Sequence, residues 1–228
     1  MKKIYLSVVA LCFAMSAMAQ VQVGPKLGAN FNKKADGIDT PEGTKEPFKV
    51  GINIGAAFSF SINENFAIAP ELIFSQKGFK YKEEDGDDSY SVTTNYIDLP
   101  ILARVSFGDA TKGYVNAGPT FGYWLGGSEK YTEEGESEKA KIVFADNESE
   151  VSEDDSFYPK EFYNRTEIGA AIGGGVMFDT GAGNLLLDLR YNAGLTNLVD
   201  KDLMEAADIK KQKNSGLSLS IIYLFGTK

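Results

Sequence analysis

From Phe48 to Ile62 the chain alternates. Phe48, Val50, Ile52, Ile54, Ala56, Phe58, Phe60 and Ile62 fall on one side, and Lys49, Gly51, Asn53, Gly55, Ala57, Ser59 and Ser61 on the other. Successive side chains of a strand face opposite ways, so this is a strand with one apolar face and one small or polar face. Strands of soluble proteins average about 5–6 residues, whereas a tilted strand crossing a bilayer needs about 9–11. The length favours the second kind.

Seven further segments, 21–31, 66–82, 90–107, 113–128, 165–178, 185–195 and 216–225, read as extended, and most repeat the pattern. Phe66, Ile68, Pro70, Leu72 and Phe74 align on one of them, and Ile97, Leu99, Ile101, Ala103, Val105 and Phe107 on the next. Pro70, Pro100 and Pro119 lie inside these runs. Proline belongs at sheet edges and bulges, so irregularity is expected there.

The connections alternate in length. Short turns are predicted at 63–65, 108–112 and 180–184, and long polar loops at 32–47, 83–89, 129–164 and 197–215. An even strand count with short turns at one end is the layout of bacterial outer-membrane barrels, whose short turns and termini are periplasmic. Residues 129–161 hold twelve acidic residues and four lysines, a composition that predicts a flexible extracellular loop. The spacing over 200–213 suits a short surface helix. The acidic run 83–88 lacks the spacing of a calcium-binding loop, and the glycines of 169–175 fall at strand parity rather than before a helix.

The small face decides which way the strands turn. Gly51, Asn53, Gly55, Ala57 and Ser59, with Gly169, Ala171, Gly173 and Gly175, are poor choices for a solvent-facing strand surface. They suit the lumen of a closed eight-stranded barrel, which is barely wide enough for side chains. The large apolar residues then face lipid. The fold class is all-β: an eight-stranded antiparallel up-and-down transmembrane β-barrel. Aromatic residues near strand ends, Tyr81, Tyr90, Tyr123, Trp124, Tyr191 and Tyr223, fit interfacial girdles.

Strand parity also turns Glu71, Asp98, Arg104, Glu167, Asp188 and Arg190 inward. Charges in so narrow a space must pair, because an unpaired buried charge is costly. A salt-bridge network that plugs the lumen is the expectation, with a channel for small solutes as the alternative. Water-filled porins use about 16–18 strands, which weighs against an open pore.

The N-terminus adds an export signal. Lys2 and Lys3 precede an apolar stretch, and Ala17-Met18-Ala19 supplies a small-x-small cleavage pattern. The expected division is a signal peptide at 1–19, cut between Ala19 and Gln20, and a barrel domain at 20–228. The single cysteine, Cys12, lies within the signal, and the chain has no histidine. That leaves no disulfide or thiolate metal site in the mature chain and removes Ser-His and Asp-His mechanisms. No enzyme activity and no cofactor are expected. Without Lys2 and Lys3, 21 basic residues face 32 acidic ones, a net charge of −11 that disfavours nucleic acid.

Four segments carry a resemblance: Gly24-Pro25-Lys26-Leu27-Gly28-Ala29-Asn30, Tyr96 to Arg104 (YIDLPILAR), Tyr114-Val115-Asn116-Ala117-Gly118-Pro119, and Arg190 to Asn197 (RYNAGLTN). In this order they resemble the Bacteroidetes outer-membrane β-barrel family called the porin family or PorT-like, small barrels similar to OmpX and OmpA. The resemblance implies a small barrel in outer-membrane lipid and accounts for the strand prolines. It carries no catalytic residues, and it leaves open a surface or secretion-machinery partner. Leu217, Leu219, Ile221, Tyr223 and Phe225 resemble the C-terminal signal by which barrel-assembly machinery recognises its clients.

Overall fold

The computed structural model describes residues 20–35, 43–109, 111–200 and 211–226. Its strands are β1 (Gln20–Ala35), β2 (Thr44–Lys45), β3 (Lys49–Ser61), β4 (Phe66–Glu83), β5 (Ser89–Phe107), β6 (Thr111–Glu133), β7 (Glu136–Ala145), β8 (Ser156–Pro159), β9 (Thr166–Asp179), β10 (Gly183–Gly194) and β11 (Lys213–Phe225). Eight of them form a ring in which chain neighbours pair antiparallel: β1, β3, β4, β5, β6, β9, β10 and β11. The last strand returns to the first, with Val23 opposite Phe225 and Phe31 opposite Leu217. Closure removes every sheet edge from the ring, which is what allows a sheet to stand in hydrocarbon. The fold is the eight-stranded up-and-down barrel that the alternation predicts.

One end is made of tight turns. The Asn63 side-chain oxygen accepts the backbone N–H groups of Asn65 (3.0 Å) and Phe66 (2.8 Å), closing the β3–β4 turn locally. Asp179 does the same for Gly181 (2.8 Å) between β9 and β10. Asn and Asp favour such turns because the short side chain substitutes for a backbone acceptor.

The apolar face looks outward. Val50, Ile52 and Ile54 are about half exposed, while Gly51, Asn53, Ala57 and Ser59 are buried. Ile168 and Ile172 are exposed and Ala171 is buried. Leu217, Leu219, Ile221, Tyr223 and Phe225 all lie on the outer face of β11, while Ser218, Ser220, Ile222 and Leu224 fill the inside. The prolines leave the register intact but interrupt the ladder. Pairing of β5 with β6 steps from Pro100–Thr120 to Ala103–Ala117, and pairing of β4 with β5 from Pro70–Ile101 to Ile73–Asp98. A proline has no N–H to donate, so these gaps are the expected cost.

Two expectations change. The stretch 129–164 is not a loop from its start. β6 continues to Glu133 and turns back into β7 through Glu134 (φ 49°) and Gly135 (φ 87°). Two central residues with positive φ are the mark of a tight hairpin turn that matches strand twist. β8 then pairs parallel to β7. Together with the outer ends of β4 and β5, these strands make a β-extension above the ring. It is held because β7 and β8 are not uniformly polar. Ile142, Phe144 and Tyr158 pack on Trp124, whose indole meets Phe144 edge-on at 4.8 Å. The second change concerns the aromatics. Tyr123 and Tyr191 face outward, but Trp124 is buried inside the mouth, and Tyr81 and Tyr90 line the same space.

The parity of β6 explains that placement. Asn95 pairs with Gly126, but Tyr96 pairs with Trp124, so Leu125 is an extra residue. Such a bulge leaves one residue unpaired and flips the faces beyond it. Trp124 and Glu129 are consequently both buried on the inner side although five positions apart. The signal segment 1–19 and most of the predicted surface helix, 201–210, lie outside the described residues.

Candidate functional site

The lumen is filled in layers. Nearest the tight turns, Ala57, Leu186, Ile222 and Leu224 pack with Tyr114. Above them, Glu71 projects from β4 and is clasped from two sides. Lys26 on β1 donates to its Oε2 at 2.8 Å, and Arg190 on β10 donates to both oxygens at 2.9 and 3.1 Å. Arg190 also lies 2.9 Å from Asp188 Oδ1. The other oxygen of Asp188 accepts from Tyr114 Oη at 2.9 Å and Asn116 Nδ2 at 2.8 Å. All of these side chains are essentially inaccessible. The fork of a guanidinium matches a carboxylate at two points, so this contact fixes orientation as well as charge.

Arg104 sits beside this layer without a carboxylate. Its guanidinium lies 5.1 Å from the Tyr114 ring centre, and its Nε and one terminal nitrogen have no hydrogen-bond partner. It borders a cavity of about 720 Å³ at the tight-turn end, lined also by Ser59, Asn65, Ser106 and Asn184.

A polar belt follows. Asn30 donates to Ser75 (2.9 Å), Asn53 to Asn30 (2.9 Å) and Ser220 to Asn53 (3.1 Å). Higher still, Lys77 reaches Asp98 at 3.0 Å and Glu167 at 2.7 Å, with its ammonium 4.2 Å from the centre of the Tyr96 ring. Asn214 donates to Glu167 and, at 3.2 Å, to Tyr96 Oη. The free space among Lys26, Asn30, Ser75, Lys77, Asp98 and Arg190 is about 50 Å³, far below the roughly 300–1,000 Å³ of a ligand pocket.

The six charged residues that sequence parity turns inward are all buried in the barrel interior, but in two groups. Glu71, Asp188 and Arg190 are joined, with Arg104 beside them, and Asp98 and Glu167 are joined higher up. Sequence reasoning missed the cations that join them, Lys26 and Lys77. Parity would have found both: Lys26 alternates with Gly24 and Gly28, and Lys77 with Ser75 and Ile73. With the two lysines the interior carries four cations and four carboxylates, balanced as a whole although the lower layer holds three cations to two carboxylates and the upper layer one to two. A metal site of three or more acidic side chains is absent among the described residues.

In the β-extension, Glu129 accepts from Tyr90 Oη (2.9 Å), Tyr158 Oη (2.6 Å) and Ser156 Oγ (2.8 Å). Burial, reinforced by the hydrogen bond to Glu129, pushes the Tyr158 phenol well above its ordinary value near 10. A group whose pKa is raised on folding contributes stability below its unfolded pKa and loses it as pH climbs toward the folded value. The extension should therefore loosen above about pH 10, and Tyr158→Phe should remove part of that alkaline sensitivity. Fluorescence of Trp124, the single tryptophan, followed against pH in both proteins checks this.

Residues 13–200 match the family model for outer membrane protein beta-barrel domains, and the chain belongs to that family. No curated protein sequence matches it. Among solved structures it is similar to OprG of Pseudomonas aeruginosa, with 10% identity over 92% of this chain and 97% of that one, at a TM-score of 0.47. Ail, the attachment invasion locus protein of Yersinia pestis, shares 14% identity over 91% and 100%, at 0.40. Neisserial surface protein A shares 13% over 89% and 95%, at 0.42. The protein is an outer-membrane β-barrel.

Proposed function

We propose that this is a small non-enzymatic outer-membrane barrel with a closed lumen, exported by a signal peptide cut before Gln20, that works through the structure it displays at its outer end. The observation that carries the reading is Glu71, gripped by Lys26 and Arg190 across the middle of the barrel. A lumen committed to such contacts has no continuous space for solute, and it serves as a rigid support for the β-extension. The four PorT-like segments support a place in that branch of the family, with a secretion-machinery or surface partner at the outer end. The β11 outer face, Leu217 to Phe225, is the segment the assembly machinery would read.

Crosslinking in intact cells, followed by identification of the products, tests the displayed role. A protein adduct mapping to β6–β8 is expected. Adducts confined to the assembly machinery would contradict it. N-terminal sequencing of the mature protein should begin at Gln20.

A further inference from the structure

The β-extension is sorted by charge, and no average of its composition reveals this. Its inner face is fixed by three observations: Glu129 is buried, the Tyr131 ring packs at a tilt on Tyr90 at 4.6 Å, and Ile142 packs with Trp124. By alternation from these, Glu129 and Glu133 of β6, with Glu136 and Glu138 of β7, share the inner side. The outer side carries Lys80, Lys82, Lys130, Lys139 and Lys141, separated by serines and threonines. Lys80 lies opposite Ser91, Ser91 opposite Lys130, and Lys130 opposite Lys139, one row straight across β4, β5, β6 and β7.

Like charges directly opposite one another on a sheet are destabilising. Among the described residues, Lys80, Lys130, Lys139 and Lys141 make no salt bridge, whereas Lys82 pairs with Asp87 and Lys160 with Asp146. The row also acts on Lys49, which feels the positive charges of Lys80, Lys130 and Lys139. Lys49, Lys139 and Lys141 border one groove with Asn95, Asp154 and Asp155. Asp155 is engaged there by the backbone N–H of Lys141 at 3.2 Å. A chain with 32 acidic residues thus keeps, among the described residues, a row of lysines that form no salt bridge on one surface.

That surface continues the lipid-facing wall. Leu125, on the outer face of β6, is 46% exposed. Lys141 lies opposite Ser128, three residues further on. At about 3.3 Å per residue this is about 10 Å of strand, and less along the membrane normal because the strands tilt. Lysine stems reach along apolar surface to place the ammonium in a headgroup layer.

We propose that the lysine row across β4–β7 binds the phosphate groups of lipid headgroups in the leaflet surrounding the outer end of the barrel. The ammonium groups supply the charge and the donors to phosphate oxygen. The proposal rests on the orientation given above, with the tight turns periplasmic. A hydrocarbon wall below and a cation row above single out a membrane lipid rather than a soluble anion.

Native mass spectrometry of the full chain, folded in zwitterionic detergent and mixed with equal amounts of phosphatidic acid and phosphatidylcholine, tests it. The unaltered protein should retain phosphatidic acid about tenfold over phosphatidylcholine, as clustered lysines do at anionic surfaces. The K80Q/K130Q/K139Q variant should lose the preference, K80R/K130R/K139R should keep it, and so should K112Q/K160Q, whose lysines lie at the tight-turn end and beside Asp146. No preference in the unaltered protein, or equal loss in the last variant, would overturn the proposal. Displacement of the lipid by millimolar inorganic phosphate would mark a free-phosphate site and overturn the lipid assignment. Heat-modifiable gel migration identifies the folded variants. These outcomes are independent of the protein adducts sought in cells.

Discussion

Glu71→Gln should be the most damaging single substitution in the interior. It leaves Lys26 and Arg190 within reach of one neutral amide, at a depth where both are essentially inaccessible. Asp188 alone would then face three cations, because Arg104 borders the same layer. Removing one partner of a buried ion pair costs about 3–5 kcal/mol, far more than the pair itself contributes, since the remaining charge stays desolvated. Urea unfolding followed by Trp124 fluorescence should show a loss of that order. The K26M/E71Q double variant should recover part of it by removing one uncompensated cation. A Glu71→Gln protein that unfolds at the wild-type midpoint would mean that the layer is not held by charge.

Lys77→Met is the second large effect. One ammonium holds two carboxylates, Asp98 at 3.0 Å and Glu167 at 2.7 Å, and it lies over the Tyr96 ring. Methionine fills much of the same volume but leaves two like charges near each other with no cation between. The expected loss is again about 3–5 kcal/mol at neutral pH. It should shrink in acid, because a proton taken up by either carboxylate relieves the repulsion. Lys77→Arg should retain most of the stability. Unfolding midpoints at pH 5 and pH 8 decide the matter: an equal loss at both would assign the role of Lys77 to packing alone.

Much of the ring was legible from alternation because lipid imposes it. A strand such as 48–62 faces hydrocarbon on one side and a crowded lumen on the other, so neither face tolerates exceptions. The extension was not legible for two physical reasons. The extra residue at Leu125 breaks the parity of β6, so the pattern breaks off where it only changes phase. Beyond it, glutamates and lysines alternate across the two sides of one sheet, and a composition count merges them into a single acidic tract. The lumen shows a third limit. Four carboxylates and two arginines left an imbalance that burial does not permit, and it pointed to missing cations. Lys26 sat in a segment read for its family resemblance, and Lys77 lay past the last aligned apolar residue.

The cavity of about 720 Å³ at the tight-turn end and the aromatic mouth are separated by the two ion-paired layers and by the belt of Asn30, Asn53, Ser75 and Ser220 between them. Conduction would have to break Lys26–Glu71–Arg190 and Lys77–Asp98–Glu167 together. Recording from the full chain in planar bilayers reads this out. A closed lumen predicts no steady current steps at moderate voltage, and reproducible, ohmic single-channel steps from the unaltered protein would contradict it.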